Sequence, residues 1–182
     1  MKKFSVKDIV AIGIGAALFF VLGRFVAIPS PVPNTNISTQ YGLLSLVAVV
    51  YGPVVALAAG FIGHALIDFS YGWGIWWSWV IASGVTGCIM GLAQKKVDII
   101  NSDFDKKRIL TFNLYQIVAH LVSWVVVAPV LDIVIYAEPV NKVFVQGLWA
   151  AGANIVTTAI VGTLLCVAYS AAKPKRDSLS RK

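Results

Sequence analysis

Long apolar runs alternate with short polar or basic interruptions along all 182 residues. The first run, Ile9 to Ile28, would be about 30 Å long as a helix, enough to cross the hydrocarbon of a bilayer. No convincing cleavage site accompanies it, so it reads as a true first span rather than a removable leader. It stops at Pro29-Ser-Pro-Val-Pro33, where proline can neither continue the helix nor supply its missing amides. Residues 28–39 therefore read as an outer loop. The next run, Tyr41 to Ile67, is broken by Gly52-Pro53. Taken as a turn, that break separates two spans. The first holds only about 17 Å of clearly apolar helix, so it must extend back to about residue 37 or be shielded by neighbours. Three further spans follow, and the predicted set is 8–28, 37–51, 53–69, 74–94, 109–131 and 142–172. The expected fold is an all-α integral membrane protein of six transmembrane helices in one domain, without an internal repeat.

Composition supports this reading: with 58% hydrophobic and 13% charged residues and a mean hydropathy of +0.81, polar groups cannot cover a globule of this size. Charge then orients the chain. Of the 15 Lys and Arg residues, 13 fall in three clusters: Lys2, Lys3 and Lys7; Lys95, Lys96, Lys106, Lys107 and Arg108; and Lys173, Lys175, Arg176, Arg181 and Lys182. Short basic segments stay on the cytoplasmic side, so both termini and the 95–108 loop are expected there. This parity is what requires Gly52-Pro53 to be a turn. The net charge of +7 lies beside apolar spans, where anionic headgroups account for it. No nucleic-acid recognition motif is present.

Polar residues gather toward the outer side, where they are informative because lipid makes them costly. Arg24 ends the first span, His64 and Asp68 share a helix face near the end of the third, and Asp132, Glu138, Asn141 and Lys142 precede the sixth. Tyr71, Trp73, Trp76, Trp77, Trp79, Tyr136 and Trp149 lie at the same level. Trp73, Trp76 and Trp77 would share one face if the fourth helix has already begun. Two readings stand for the indoles: an interfacial belt, or a pocket that stacks a planar or bulky organic ligand. Arg24 and Asp68 read either as ligand contacts or as a buried ion pair locking the first helix to the third. His120, Asn113, Gln116 and Asn154 read as interhelical hydrogen-bonding groups. Small residues recur at helix-packing spacing, among them Ala11, Gly13 and Gly15 near the start of the first helix, the candidate partner face. Nucleotide-binding, zinc-protease and nucleophile-elbow motifs are absent. Cys88 and Cys166 suggest neither a disulfide framework nor a metal site. No enzyme activity, cofactor or metal is expected.

The chain resembles an S component, the membrane-embedded substrate-binding subunit, of an energy-coupling factor (ECF) type ABC vitamin transporter, in a family whose members are associated with riboflavin or cobalamin. The resemblance rests on Ala11-Ile-Gly-Ile-Gly15, Gly23-Arg24 through Asn34, Gly63-His64-Ala-Leu-Ile-Asp68, Trp76-Trp77-Ser-Trp79 and Ala128-Pro129-Val-Leu-Asp132. It implies six helices, an outward pocket capped by residues 29–39, a bacterial cell-membrane location, and a membrane scaffold partner carrying two ATPase subunits. The family's Ala-x-x-x-Ala docking motif stands here as Ala11-x-x-x-Gly15. Arg24, Asn34, Asn36, His64, Asp68, Tyr71, Trp73, Trp76, Trp77, Tyr136, Asn141, Gln146 and Trp149 are the candidate substrate contacts. Cobalamin is favoured over riboflavin, because indoles at 73–79 and at 149, with Asn34, Asn36, Asn141 and Gln146, suggest a wide rim. A stand-alone secondary transporter using His64 and Asp68, or a ligand-free structural subunit, are the other classes.

Overall fold

The structure, a computed structural model, describes residues 4–173. Helix α1 spans Val6–Phe25 and opens on a capping box, in which Ser5 accepts from the Asp8 amide and Asp8 accepts from the Ser5 amide. α2 spans Gln40–Tyr51, α3 Pro53–Tyr71, α4 Trp77–Gly91 and the short α5 Gln94–Val97. The two long helices are α6, Lys106–Tyr136, and α7, Val140–Ala172. Among the described residues four helices, α1, α3, α6 and α7, are long and apolar enough to cross a membrane. The shorter α2 and α4 pack among them.

Gly52-Pro53 is indeed a turn: Gly52 has φ +93°, open to glycine at little cost, and Pro53 starts the next helix. Several boundaries differ from the sequence expectation. α2 begins at Gln40 rather than near 37, because Asn36–Ile37 instead pairs with Ile28–Pro29 as a two-residue antiparallel ladder, Ile28 opposite Ile37. α4 begins at Trp77, not near 74: Gly72 and Gly74 take left-handed φ of +81° and +91° and hold Trp73 in a loop. Trp73, Trp76 and Trp77 therefore do not form one helical face. α6 runs on through Pro129 to Tyr136, so Asp132 and Tyr136 are helical rather than in a loop. A π-helical turn at Val122–Val127 lets the chain absorb that proline without breaking. α7 contains a second such turn at Thr158–Gly162.

The packing explains the small residues. α1 and α3 run parallel, with Gly15 beside Ala59 and Gly63 against Phe19. α3 and α4 run antiparallel so closely that a methyl at Gly87 would collide with the Ala56 carbonyl. Gly147 similarly lets α7 approach the Trp124 carbonyl of α6. Such proximity gains dispersion contacts that lipid cannot replace. Ala11 and Gly15 are thus buried inside the chain, contrary to their expected place on a partner face; of the three residues proposed for it, only Gly13 is open, with nothing within 4 Å of an added Cβ.

One end of the bundle carries the 92–105 segment and the start of α1; an apolar cluster of Val49, Val50, Ala93, Val97, Ile99, Phe104, Phe112 and Cys166 fills it. The Lys173 ammonium donates to the carbonyls of Ile99 (2.8 Å) and Ser102 (2.5 Å), closing that end. Lys2, Lys3, Lys175, Arg176, Arg181 and Lys182 lie outside the described residues.

Candidate functional site

The opposite end is built around two buried carboxylates. Asp132, on α6, accepts from Trp76 Nε1 (2.7 Å), from Trp79 Nε1 (2.7 Å) and from the Ser78 hydroxyl. Three donors converging on one carboxylate compensate its burial and fix two indoles at the head of α4. Asp68, on α3, accepts from the Trp76 amide at 2.9 Å. The Trp77 amide donates to the Tyr136 hydroxyl at 2.9 Å. Two of the amides that open α4 are thereby taken up by side chains of α3 and α6.

A polar chain continues from Asp68 into the bundle. His64 Nε2 lies 3.6 Å from Asp68 Oδ1, His64 Nδ1 is 2.5 Å from Ser83 Oγ, and Ser83 Oγ is 2.8 Å from the Tyr41 hydroxyl. The arrangement that satisfies each group has Tyr41 donating to Ser83, Ser83 donating to Nδ1, and Nε2–H facing Asp68. Deeper still, His120 accepts from Trp124 Nε1 at 3.0 Å and, through Nε2, pairs with Thr158 at 3.0 Å, the interhelical role its sequence position suggests.

These groups surround a cavity of about 290 Å³ lined by Asn34, His64, Asp68, Trp73, Trp76, Trp79, Asp132, Glu138, Lys142 and Gln146. A smaller lobe of about 130 Å³ adjoins it, sharing Asn34, His64, Asp68, Trp73 and Trp79 and reaching Asn36, Tyr41, Tyr71, Trp124 and Asn154. Gln146 donates to the Pro33 carbonyl at 2.8 Å and ties the 30–35 segment to α7. Asn34, in the left-handed region at φ +59°, lines both lobes; asparagine is among the few side chains that tolerate this conformation. The aromatic wall is layered: Tyr71 stacks on Trp73 at 4.4 Å, and Trp76 on Tyr136 at 4.3 Å.

Of the thirteen sequence-predicted contacts, Asn34, Asn36, His64, Asp68, Tyr71, Trp73, Trp76 and Gln146 line one lobe or the other. Tyr136 stands behind Trp76. Arg24, Trp77, Asn141 and Trp149 line neither lobe. Arg24 makes no ion pair with Asp68: its guanidinium lies 4.2 Å above the Tyr71 ring and 5.5 Å from that of Phe25, while Asp68 is engaged by Trp76 and His64. Trp77 turns outward onto Phe61. Trp79, Asp132, Glu138 and Lys142, which the sequence places at this level but not among its predicted contacts, also line the cavity, while Tyr41 and Ser83 join the polar chain without having been singled out. The i, i+3 spacing of Trp76 and Trp79 was a legible signal; nothing local marks Tyr41.

The fold and this cavity define a multi-pass helical membrane protein with a ligand-sized site between its helices. The chain belongs to the family described as "ECF-type riboflavin transporter, S component", which matches residues 3–171. It is 52% identical to a UPF0397 protein of Lactobacillus helveticus, covering 100% of each chain, and 49% identical to one of Enterococcus faecalis, covering 99% of this chain and 98% of that one. Its fold is similar to that of FolT in a crystal structure bound with folic acid, with a TM-score of 0.59 at 16% identity, covering 89% of this chain and 98% of that one.

Proposed function

We propose that this S component binds riboflavin, or a closely similar flat heteroaromatic vitamin, in the outer cavity and delivers it across a bacterial cell membrane. The observation that carries this is the cavity of about 290 Å³ walled by Trp73, Trp76 and Trp79 with His64, Asp68 and Asn34 on its polar side. Indoles offer stacking surface, and the few convergent polar groups set orientation. The family description supports riboflavin. Cobalamin, which the spread of tryptophans favoured, loses that argument: Trp149 is not on the cavity, and a corrin with its nucleotide loop is several times larger than a flavin. The comparisons give cobalamin no support, and S-component membership leaves the stand-alone secondary transporter and the ligand-free subunit without any.

Both termini and the 95–108 loop are cytoplasmic, with the cavity outside; the positive-inside bias supports this orientation. Transport requires an ECF scaffold subunit and ATPase subunits. Docking uses the outward face of α1, where Gly13 and Ala17 are exposed one turn apart, a spacing that permits close helix approach. Titrating the purified full chain with riboflavin, and separately with cobalamin, while following intrinsic tryptophan fluorescence tests the reading. Saturable quenching by riboflavin at equimolar stoichiometry, without ATP, is expected. Binding of cobalamin alone would replace the vitamin while leaving the S component in place.

A further inference from the structure

We propose that Arg24 is a positioning residue for the vitamin: without lining either lobe, it holds the Trp73 indole at the cavity wall through the ring of Tyr71. The inference rests on the vitamin-binding reading of this site. Trp73 needs such support because its own segment supplies little. It stands between Gly72 and Gly74, both at left-handed φ, and an added Cβ at either would meet nothing within 4 Å. The residue is 64% exposed, yet it lines both lobes. Asp132 fixes Trp76 and Trp79 by hydrogen bonds, and among the described residues no side chain does the same for Trp73. Its one ring partner there is Tyr71, stacked at 4.4 Å with the planes 13° apart.

Tyr71 is the last residue of α3, and the Arg24 guanidinium, in the last turn of α1, lies 4.2 Å from the centre of its ring. Among the described residues Arg24 forms no ion pair and no side-chain hydrogen bond, so ring faces are its partners: Tyr71, and Phe25 at 5.5 Å. No contact of this kind joins Arg24 to Trp73 itself; the Tyr71 ring is the link between them. A cation over an aromatic face is attracted by the ring's quadrupole. It holds the plane of Tyr71 against rotation and draws electron density from that ring, which favours stacking by an electron-rich indole. Planarity matters here, because a guanidinium stacks on a ring where an ammonium acts as a point charge. Loss of Arg24 therefore frees Tyr71 to turn and leaves Trp73 on a glycine-flanked loop without a fixed place. The indole must then be ordered at the binding step, which weakens affinity.

The test uses the full chain in detergent, with riboflavin as the probe. Arg24→Gln should weaken riboflavin binding about two- to fivefold, the span of an exposed cation–π contact. In a Trp73→Ala background the same substitution should change affinity by less than about 1.5-fold, since the residue it positions is gone. An equal loss in both backgrounds overturns the inference, and so does an unchanged affinity when Trp73 is present. Fluorine NMR of the vitamin-free chain labelled with fluorotryptophan supplies a second reading. The resonance that vanishes in Trp73→Phe should sharpen in Arg24→Gln and move toward the position of free fluorotryptophan. A role confined to stabilising the end of α1 would leave that resonance in place. Arg24→Lys keeps the charge there but not the planar face; should Arg24→Gln fail to fold, it carries both measurements, with a smaller loss expected, again only where Trp73 is present. A Trp73 resonance that neither substitution moves overturns the inference while leaving riboflavin binding standing. If the unsubstituted chain binds no riboflavin, a released Trp73 resonance supports the positioning role and removes riboflavin instead.

Discussion

The two ends of this bundle solve the problem of polarity in lipid in opposite ways. At the basic end, apolar side chains from α2, α5, α6 and α7 close on one another around Phe112 and Ile99, and the loop is drawn in by Lys173 and by Ser170, which accepts from the Phe104 amide at 3.1 Å. At the tryptophan-rich end, polar groups far apart in sequence hold one another: Asp132 takes donors 53 to 56 residues away, and Gln146 reaches back 113 residues to Pro33. The first arrangement fills space, the second frames it. Satisfying a buried carboxylate with donors from another helix is what keeps indoles standing around a void, where apolar packing alone would collapse it.

That contrast predicts separable phenotypes. The largest effect belongs to Asp132→Ala, which leaves two indole N–H groups and a hydroxyl without their acceptor. At about 1–3 kcal/mol for each orphaned donor, stability should fall by several kcal/mol and vitamin binding should be lost together, as read by thermal unfolding and fluorescence titration. Phe112→Ala, at the other end, should cost about 3–5 kcal/mol of stability yet leave the affinity of the folded fraction unchanged. Coupled losses there would erase the distinction between the two ends.

Partner docking sharpens a second contrast, between the two faces of α1. Gly13→Trp should abolish ATP-driven uptake while binding by the isolated chain persists, because Gly13 faces outward. Gly15→Trp should instead lower the melting temperature and the yield of folded protein, since an added Cβ already lies 3.2 Å from Ala59. Full transport by Gly13→Trp would sink the proposed docking face. Trp73→Ala should weaken binding about tenfold, typical of losing one aromatic anchor, with a stability change under about 0.5 kcal/mol, because the residue is exposed in a loop. The smallest effect is expected from Lys173→Met. Removing its donation to two carbonyls should cost about 1 kcal/mol in chemical denaturation and nothing in vitamin affinity.

Periodicity located the helices well where apolar length dominates: α1, the Gly52-Pro53 turn, and the cores of α6 and α7 were all legible. It failed where tertiary contacts override local signals. Trp73 and Trp76 look helical beside Trp77, yet left-handed Gly72 and Gly74 and the hold of Asp68 on the Trp76 amide start the helix later. The fifth span was expected to end at 131, but the π-helical turn before Pro129 lets α6 run on to Tyr136. The site was half legible for a similar reason. Enrichment of indoles and polar groups at one depth marks an end of the bundle, while the rotation of each helix decides which of them face inward.

The sequence by itself determined the class: apolar runs long enough for lipid, a turn that only Gly-Pro explains, basic clusters at alternate interruptions, and aromatic and acidic residues at the other level. Those properties are sums along the chain and need no partner to be read. Tertiary structure alone decided that Asp132 rather than Arg24 fixes Trp76 and Trp79, that Asp68 serves the head of α4, and that Gly15 is spent inside while Gly13 remains outside. Each of these depends on which face a helix presents to its neighbour, set by where glycine permits backbones to touch and by which buried donors find an acceptor.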